Sequence, residues 1–273
     1  LKTESTSFNL PSETPLNYKH DTDVAKTYLE DNYDRVDDEN AFLLEFFHDI
    51  YSKLPPAGRL VEIGGGAGLY MLISARRVVE KVVYAEPGDW CRAEIQAWRD
   101  GSAKAHNWTV FFEYVRQLEG KERSVEDMQA QLRSRISEIT PCDVYASNCG
   151  FNLGKGEEFD IVSSNFCAES ITSDIEKFEL SIRNIVSLIA PGGHLVLSML
   201  EDGRFWTLGD SDMPCIKVDD RYVFELLQKV GLELITHKRS SSFEKNGQFG
   251  ETKEAARGDN YSGILCILAK KSS

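Results

Sequence analysis

Several features that would assign a protein to a class at once are missing from this sequence. No apolar run reaches 18 residues, so no bilayer-crossing helix is expected. The polar opening LKTESTSFNLPSETP lacks a signal peptide's pattern, and its start without Met suggests a trimmed chain. The six cysteines (Cys91, Cys142, Cys149, Cys167, Cys215, Cys266) form no CxxC pair and no Cys/His spacing suited to zinc, so no metal is expected. Cys167 and Cys266 sit in apolar runs, as reduced buried thiols do, which favours a reducing, cytoplasmic setting without a membrane. His20, His48, His106, His194 and His237 have no triad or metal spacing around them, and no G-x-S-x-G marks a hydrolase nucleophile. Positive charge is also short, with 31 Lys and Arg against 44 Asp and Glu and a net charge of -13. That field repels polyanions, so nucleic acid is not expected as a partner and a small or cationic ligand is. There is no internal repeat and no linker long enough to divide the chain.

What is present is an alternation of helical and strand patterns over 273 residues, with 41% hydrophobic residues to fill a core. Residues 1–20, rich in Ser, Thr, Pro and Glu, are expected to be mobile, and residues 21–273 to form a single, monomeric domain. Two helices are expected between Asp23 and Leu54, ended by LPPAG. Strands follow at RLVEI, KVVYAE, ISEITPCDV, FDIVSSNF and HLVLSML, with helices between them, including LYMLISARRVV and DIEKFELSIRNIVSLI, the latter stopped by APGG. The tail reads as helix DRYVFELLQKVG, strand LELITHKR, a polar loop from Ser240 to Asn260, and strand GILCILAKK. The expected fold is an α/β doubly covered, mostly parallel sheet with an antiparallel edge hairpin.

The stretch RLVEIGGGAGLYMLISA concentrates glycine at 64, 65, 66 and 68 behind the first strand, where an open parallel sheet binds ligands. A dinucleotide fingerprint from Gly64 requires glycine at position 69, which is Leu69, and no G-x-x-x-x-G-K-[ST] occurs. The tighter G-x-G-x-G behind Glu62 fits a nucleoside cofactor without pyrophosphate, namely S-adenosylmethionine. Glu86 closes the second strand, placed to accept hydrogen bonds from ribose hydroxyls, and Asp143 at the third strand end suits an adenine amino group.

These residues resemble the nicotinamide, phenylethanolamine and thioether or indolethylamine N-methyltransferase family. TYLEDNYD, EIGGGAGLYMLISA, EPGDWCRAEIQAW, CDV, NFCAES, LIAPGGHLVL and RGDNYSG follow one another as that family's segments do. The resemblance implies a Rossmann-like class I methyltransferase with a seven-stranded sheet, an N-terminal helical lid over residues 21–54 and a core over 55–273. It further implies that Tyr28, Tyr33 and Tyr70 line S-adenosylmethionine (product S-adenosylhomocysteine), with Gly64, Gly65 and Gly66 against its methionine part. Glu86 is then the ribose acid, Asp143 and Val144 the adenine contacts, and Asn165 a cofactor-facing residue. Aromatic faces stabilise a sulfonium cation, which agrees. This chain departs from the family in having Glu62 and Glu86 for Asp, Gly65 for Ser, and Cys91 for a polar residue, commonly Asn.

Methyl transfer from a sulfonium is an in-line displacement that needs alignment and little water, and an amine acceptor must also lose a proton. Three acids fall on segments expected to meet above the sheet: Glu169, Asp202 (or Glu201, one residue earlier) and Asp259. By resemblance, Glu169 and Asp259 hold the amine, Phe166 and Trp206 sandwich the substrate ring, and Asn32 is a polar lid residue. The expected activity is therefore N-methylation of a small amine or N-heterocycle. Its rivals are the same fold methylating oxygen or sulfur, a catalytically silent cofactor-binding relative, and a nicotinamide-dependent oxidoreductase, the last disfavoured by Leu69.

Overall fold

In the computed structural model, residues 22–154, 156–208, 211–240 and 261–272 are described. The chain begins with α1 (Thr22–Tyr33) and α2 (Asp38–Lys53). Asp37 caps α2 by accepting from the Asn40 N–H, and the chain leaves the helix at Leu54, before Pro55 and Pro56. Next come β1 (Ala57–Ile63), the four-residue α3 (Tyr70–Ile73), a 3₁₀ turn at Ala75–Arg77, and β2 (Val79–Ala85). Helices α4 (Asp89–Arg99), α5 (Thr109–Leu118) and α6 (Val125–Arg135) lead to β3 (Ile136–Thr140) and β4 (Phe159–Asn165). After α7 (Ile175–Ser187) come β5 (Ile189–Glu201), a hairpin of β6 (Phe205–Leu208) and β7 (Ser211–Pro214), and α8 (Asp220–Lys229). The last strands are β8 (Leu232–Ser240) and β9 (Gly263–Lys271).

Seven strands form one sheet in the order β3-β2-β1-β4-β5-β9-β8. Pairing is parallel from β3 to β5, and β9 runs antiparallel to both β5 and β8. The expected sheet, with its antiparallel pair at one edge, is the one observed. Alternate residues of each strand serve opposite faces. Leu60, Val82, Ile161 and Val196 pack under α2 and α4 to α6, while Val61, Val83, Val162 and Leu197 pack under α7 and α8. Both faces are thus covered, as a parallel sheet requires. The order reverses between β1 and β4, so their carboxyl ends open the crevice in which such sheets hold ligands.

Three local features differ from expectation. The helix after the glycine turn stops after one turn, because the Arg76 side chain folds back to Ile73 O and pairs with Glu119, while the β-branched Val79 enters β2. Arg76 is fully buried there, with Nη1 2.9 Å from Glu119 Oε1. The APGG stretch does not merely end α7 but lies within β5, whose register with β4 slips between the pairs Phe159–Ile189 and Ile161–His194. Gly193 permits this, since a Cβ there would meet the Ala190 and Asp160 carbonyl oxygens at 2.9 Å. The β6–β7 hairpin was not expected at all; it carries Trp206.

Candidate active site

The glycine turn is shaped by close packing beneath it. Gly64 and Gly66 have φ of +70° and +62°, a left-handed backbone that L residues with a Cβ resist. A Cβ on Gly64 would also lie 2.3 Å from Cys167 Sγ. Gly65, where the family has Ser, is explained by Tyr84. A Cβ at 65 would come within 2.6 Å of the Tyr84 hydroxyl, which donates to the carbonyls of Gly66 (3.2 Å) and Gly68 (2.9 Å). Tyr84 pairs in register with Glu62, so the hydroxyl arrives directly under the turn. Tyr84 escaped the sequence reading; the parity of the two strands is the signal that finds it.

Glu86 braces the turn from the other side. Its Oε2 accepts from the Gly66 N–H at 3.0 Å and its Oε1 from the Gly88 N–H at 2.8 Å. The longer acid thereby holds the turn from the β2 end. Cys91 packs behind it: a Cβ on Gly88 would stand 3.4 Å from Cys91 Sγ. Asp143 is exposed and accepts from the Tyr145 N–H at 2.9 Å, while Val144 is buried. Between them and the turn sits Cys142, within electrostatic reach of both Glu86 and Asp143.

Below the turn, Glu62 is a carboxyl with no exposure at all. Asn165, 3% exposed, donates from Nδ2 to Glu62 Oε1 at 3.2 Å and to Ser163 Oγ at 2.9 Å. Burial pushes the Glu62 carboxyl up to about 8, against the lowering effect of its Ser163 and Asn165 hydrogen bonds. Three tyrosines close this region. Tyr33 stacks on Tyr70 with centroids 5.4 Å apart and meets Tyr28 edge-on at 6.0 Å. Burial keeps the Tyr33 and Tyr70 phenols neutral. Asn32 spends its amide within the helical segment, donating to Tyr28 O at 2.8 Å, and its own carbonyl accepts from Asn40 Nδ2 at 3.0 Å.

The crevice continues past β4. Phe166 turns the chain with φ +52°, and its N–H donates to Ser198 O at 2.7 Å. Glu169, fully buried, accepts at Oε1 from the Leu200 N–H and from Ser170 Oγ, both at 3.1 Å. Its Oε2 is buried and has no hydrogen-bond partner among the described residues. Burial pushes this carboxyl up to about 7. Trp206 reaches back from β6, donating Nε1–H to Ser170 O at 2.8 Å and meeting Tyr28 edge-on at 6.1 Å. It therefore ties the Glu169 segment to α1.

At the end of β5 the two neighbouring acids part company. Glu201 is buried and bound by Arg239 Nε, so its charge is already answered. Asp202 leaves the strand with φ +54°, half-buried, and accepts from Ser262 Oγ at 3.2 Å, which joins it to the hairpin base rather than to Glu169. Asp259 lies outside the described residues. Nearby, the Tyr261 hydroxyl donates to Glu39 Oε2 at 3.1 Å, linking β9 to the start of α2. Neither of those two residues was singled out in the sequence.

The residues fit S-adenosylmethionine on grounds internal to this structure. A Cβ-free turn leaves backbone room, an acid braces that turn from the β2 end, and aromatic faces and buried acceptors lie beside it. Among the described residues no group of three His, Cys, Asp or Glu is arranged for a metal ion, all six cysteines are free and buried, and no helix is long and apolar enough to cross a membrane.

Comparison with known proteins agrees in kind. The chain is 29% identical over 179 residues to phenylethanolamine N-methyltransferase from Macaca mulatta, a match covering 64% of this chain and 62% of that relative, so it spans less than two thirds of the relative's length. It is 25% identical over 194 residues to human nicotinamide N-methyltransferase, covering 68% of this chain and 72% of that one. Among solved structures, a DhpI–SAH complex shares the fold at a TM-score of 0.54 and 12% identity, with 94% of each chain covered. The sequence profile of one family matches residues 16–271, running from before α1 to the last residue of β9, and on that match the chain belongs to the NNMT/PNMT/TEMT family.

Proposed function

We propose that this chain is an S-adenosylmethionine-dependent N-methyltransferase whose acceptor is a small amine or N-heterocycle, a primary or secondary amine being favoured. Family membership supports the cofactor and the reaction class. The observation that carries the acceptor is Glu169: a fully buried carboxyl with one oxygen unpartnered among the described residues, four residues beyond the end of β4. An unpaired buried carboxylate is costly unless a cation arrives to meet it.

The cofactor, when bound, supplies an electrophilic methyl on a sulfonium. In this reading Tyr28, Tyr33 and Tyr70 face the sulfonium and its methionine end, Gly64 to Gly66 give the backbone approach, and Glu86, Asp143 and Val144 hold ribose and adenine. Phe166 and Trp206 flank the acceptor and keep water out, which strengthens the Glu169 interaction. Glu169 receives the acceptor's ammonium at Oε2 while Leu200 N–H and Ser170 Oγ fix Oε1. Its proton affinity, about 7, suits a group that takes a proton from the amine at neutral pH and frees the lone pair for attack. Asp259 and Asp202 contribute further acidic contacts, and Asn32 a polar one from the lid. Residues 21–54 act as a lid over a single core of residues 55–273, closing when both ligands are in place. The net charge of -13 suits a cationic small molecule and not nucleic acid, and the chain acts as a cytoplasmic monomer without a metal.

The test is a coupled assay for adenosylhomocysteine release across arylalkylamines, pyridines, indolamines and amino acids, with the methylated atom located by NMR. Turnover on amines with a new N–CH₃ group is expected. Cofactor binding without turnover, or methyl found only on oxygen or sulfur, would overturn the reading.

A further inference from the structure

The C-terminus of α1 is held from two sides. The last carbonyls of a helix find no partner within it, so Asn32 O and Tyr33 O are answered from outside. Asn40 Nδ2 serves the first at 3.0 Å, a bond between α1 and α2. The second lies 3.2 Å from Nε2 of His106, which stands 73 positions later in the link between α4 and α5. A carbonyl only accepts, so the ring carries a hydrogen on Nε2. His106 is fixed in its turn. Its N–H donates to Glu94 Oε1 on α4 at 2.6 Å, and its ring meets the buried Trp108 edge-on at 5.0 Å. Trp108 and Phe111 also pack on the Tyr33 ring, with centroids at 5.2 and 5.9 Å. The link and the start of α5 thus grip Tyr33 twice, by packing on its ring and by a hydrogen bond to its backbone. The proposed methyl transfer makes no use of His106, and no spacing in the sequence singles it out.

We propose that His106 is the catch of the lid, a positioning residue that acts through the Tyr33 backbone to hold that tyrosine over the bound cofactor. The inference rests on the proposed function, in which Tyr33 faces the sulfonium and residues 21–54 close over both ligands. A lid opens for each exchange of cofactor for product, and every hydrogen bond that spans lid and core breaks as it does. The Asn40 bond lies within the lid and travels with it. The His106 bond spans lid and core, so opening must break it. A single uncharged acceptor suits that task, because the small net free energy of such a bond holds the closed state without trapping the product. The rest of the grip on Tyr33 is aromatic packing, so removing the ring nitrogen separates the catch from the packing around it.

The experiment measures adenosylhomocysteine affinity by calorimetry and its dissociation by stopped-flow fluorescence, on the full chain and two variants of His106. His106→Phe keeps a ring against Trp108 and removes the donor, whereas His106→Gln restores an N–H at similar reach. His106→Phe should weaken adenosylhomocysteine ~3- to 10-fold, chiefly through faster dissociation. It should raise KM for S-adenosylmethionine by the same factor without lowering kcat at saturation, and His106→Gln should recover most of the loss. Glu94→Ala, which frees the link from α4, should weaken the ligand in the same sense. In the unaltered chain, adenosylhomocysteine should slow amide hydrogen exchange across residues 105–108 as well as 28–33, a result that does not depend on any variant folding. Unchanged affinity in His106→Phe, no recovery in His106→Gln, a fall in kcat with KM unmoved, or exchange slowed in 28–33 alone overturns the catch and leaves the cofactor reading intact. Failure of adenosylhomocysteine to bind the unaltered chain overturns both.

Discussion

Replacing Glu169 with Gln tests the site and the energetics together. In the folded chain the carboxyl is pushed by burial from an ordinary 4.5 to about 7, so the fold binds its proton more tightly than the unfolded chain does. The sign follows: the stability it confers is complete below pH 4.5 and is lost as pH rises to 7, after which the buried charge is carried at full cost. The loss amounts to about 3 kcal/mol across that window. Gln keeps an oxygen for the Leu200 N–H and Ser170 Oγ bonds, but sets an unpartnered amide where Oε2 stands. That costs about 1–3 kcal/mol at every pH. The diagnostic quantity is therefore the change with pH and not the offset. Urea denaturation of both proteins between pH 4.5 and 8 should show Glu169→Gln gaining about 3 kcal/mol relative to the parent over the interval. Under the proposed function the same variant should lose ~100-fold in kcat/KM for an amine, since a charge-assisted contact is removed. A stability difference that stays flat from pH 4.5 to 8 would refute the claim that this carboxyl is buried without a counter-charge.

Other substitutions probe the scaffold. Gly64→Ala meets both a left-handed φ and Cys167 Sγ at 2.3 Å, so it should lower the melting temperature and abolish adenosylhomocysteine binding; unchanged calorimetric affinity would contradict the turn's geometry. Tyr84→Phe leaves the Gly66 and Gly68 carbonyls without their donor and should cost about 1–3 kcal/mol in urea melts, with weaker adenosylhomocysteine binding. Arg76→Met leaves the Glu119 carboxylate with Arg77 alone, 4.0 Å away, and should cost about 3 kcal/mol, most of it regained in the Arg76→Met, Glu119→Leu double variant, as a double-mutant cycle would measure.

The order of strands and helices was readable because the parallel strands are continuous apolar runs and the helices carry an apolar stripe, both one-dimensional signals. The glycine turn and Glu86 were readable for the same reason: strand ends are marked by punctuation in the sequence, whereas Asn165 came only from the family resemblance. What escaped depends on which residues lie opposite one another. Gly65 is small because Tyr84, 19 positions later, fills the space above Glu62, and only the β1–β2 register reveals it. The short α3 escaped because Arg76 looks like an exposed helical residue until Glu119 is placed beside it. That Glu201 and not Asp202 is paired depends on Arg239 in β8, a residue that nothing in the local sequence connects to β5.

The two raised carboxyls make the pH dependence of this protein separable. Glu62 has side-chain donors from Asn165 and Ser163 and lies at the glycine turn, whereas Glu169 lies beyond Phe166, with one oxygen held by Leu200 and Ser170 and the other unmet. Neither carboxyl is among the groups that act on the other. Under the proposed function Glu169 must lose its proton before it holds the acceptor's ammonium, so kcat/KM for the amine at saturating cofactor should rise with pH until about 7. Glu169→Gln should remove that midpoint from the profile and Glu62→Gln should leave it in place. If Glu62→Gln moved it, the two carboxyls would be titrating as one coupled pair, and the assignment of the acceptor's proton to Glu169 alone would fail.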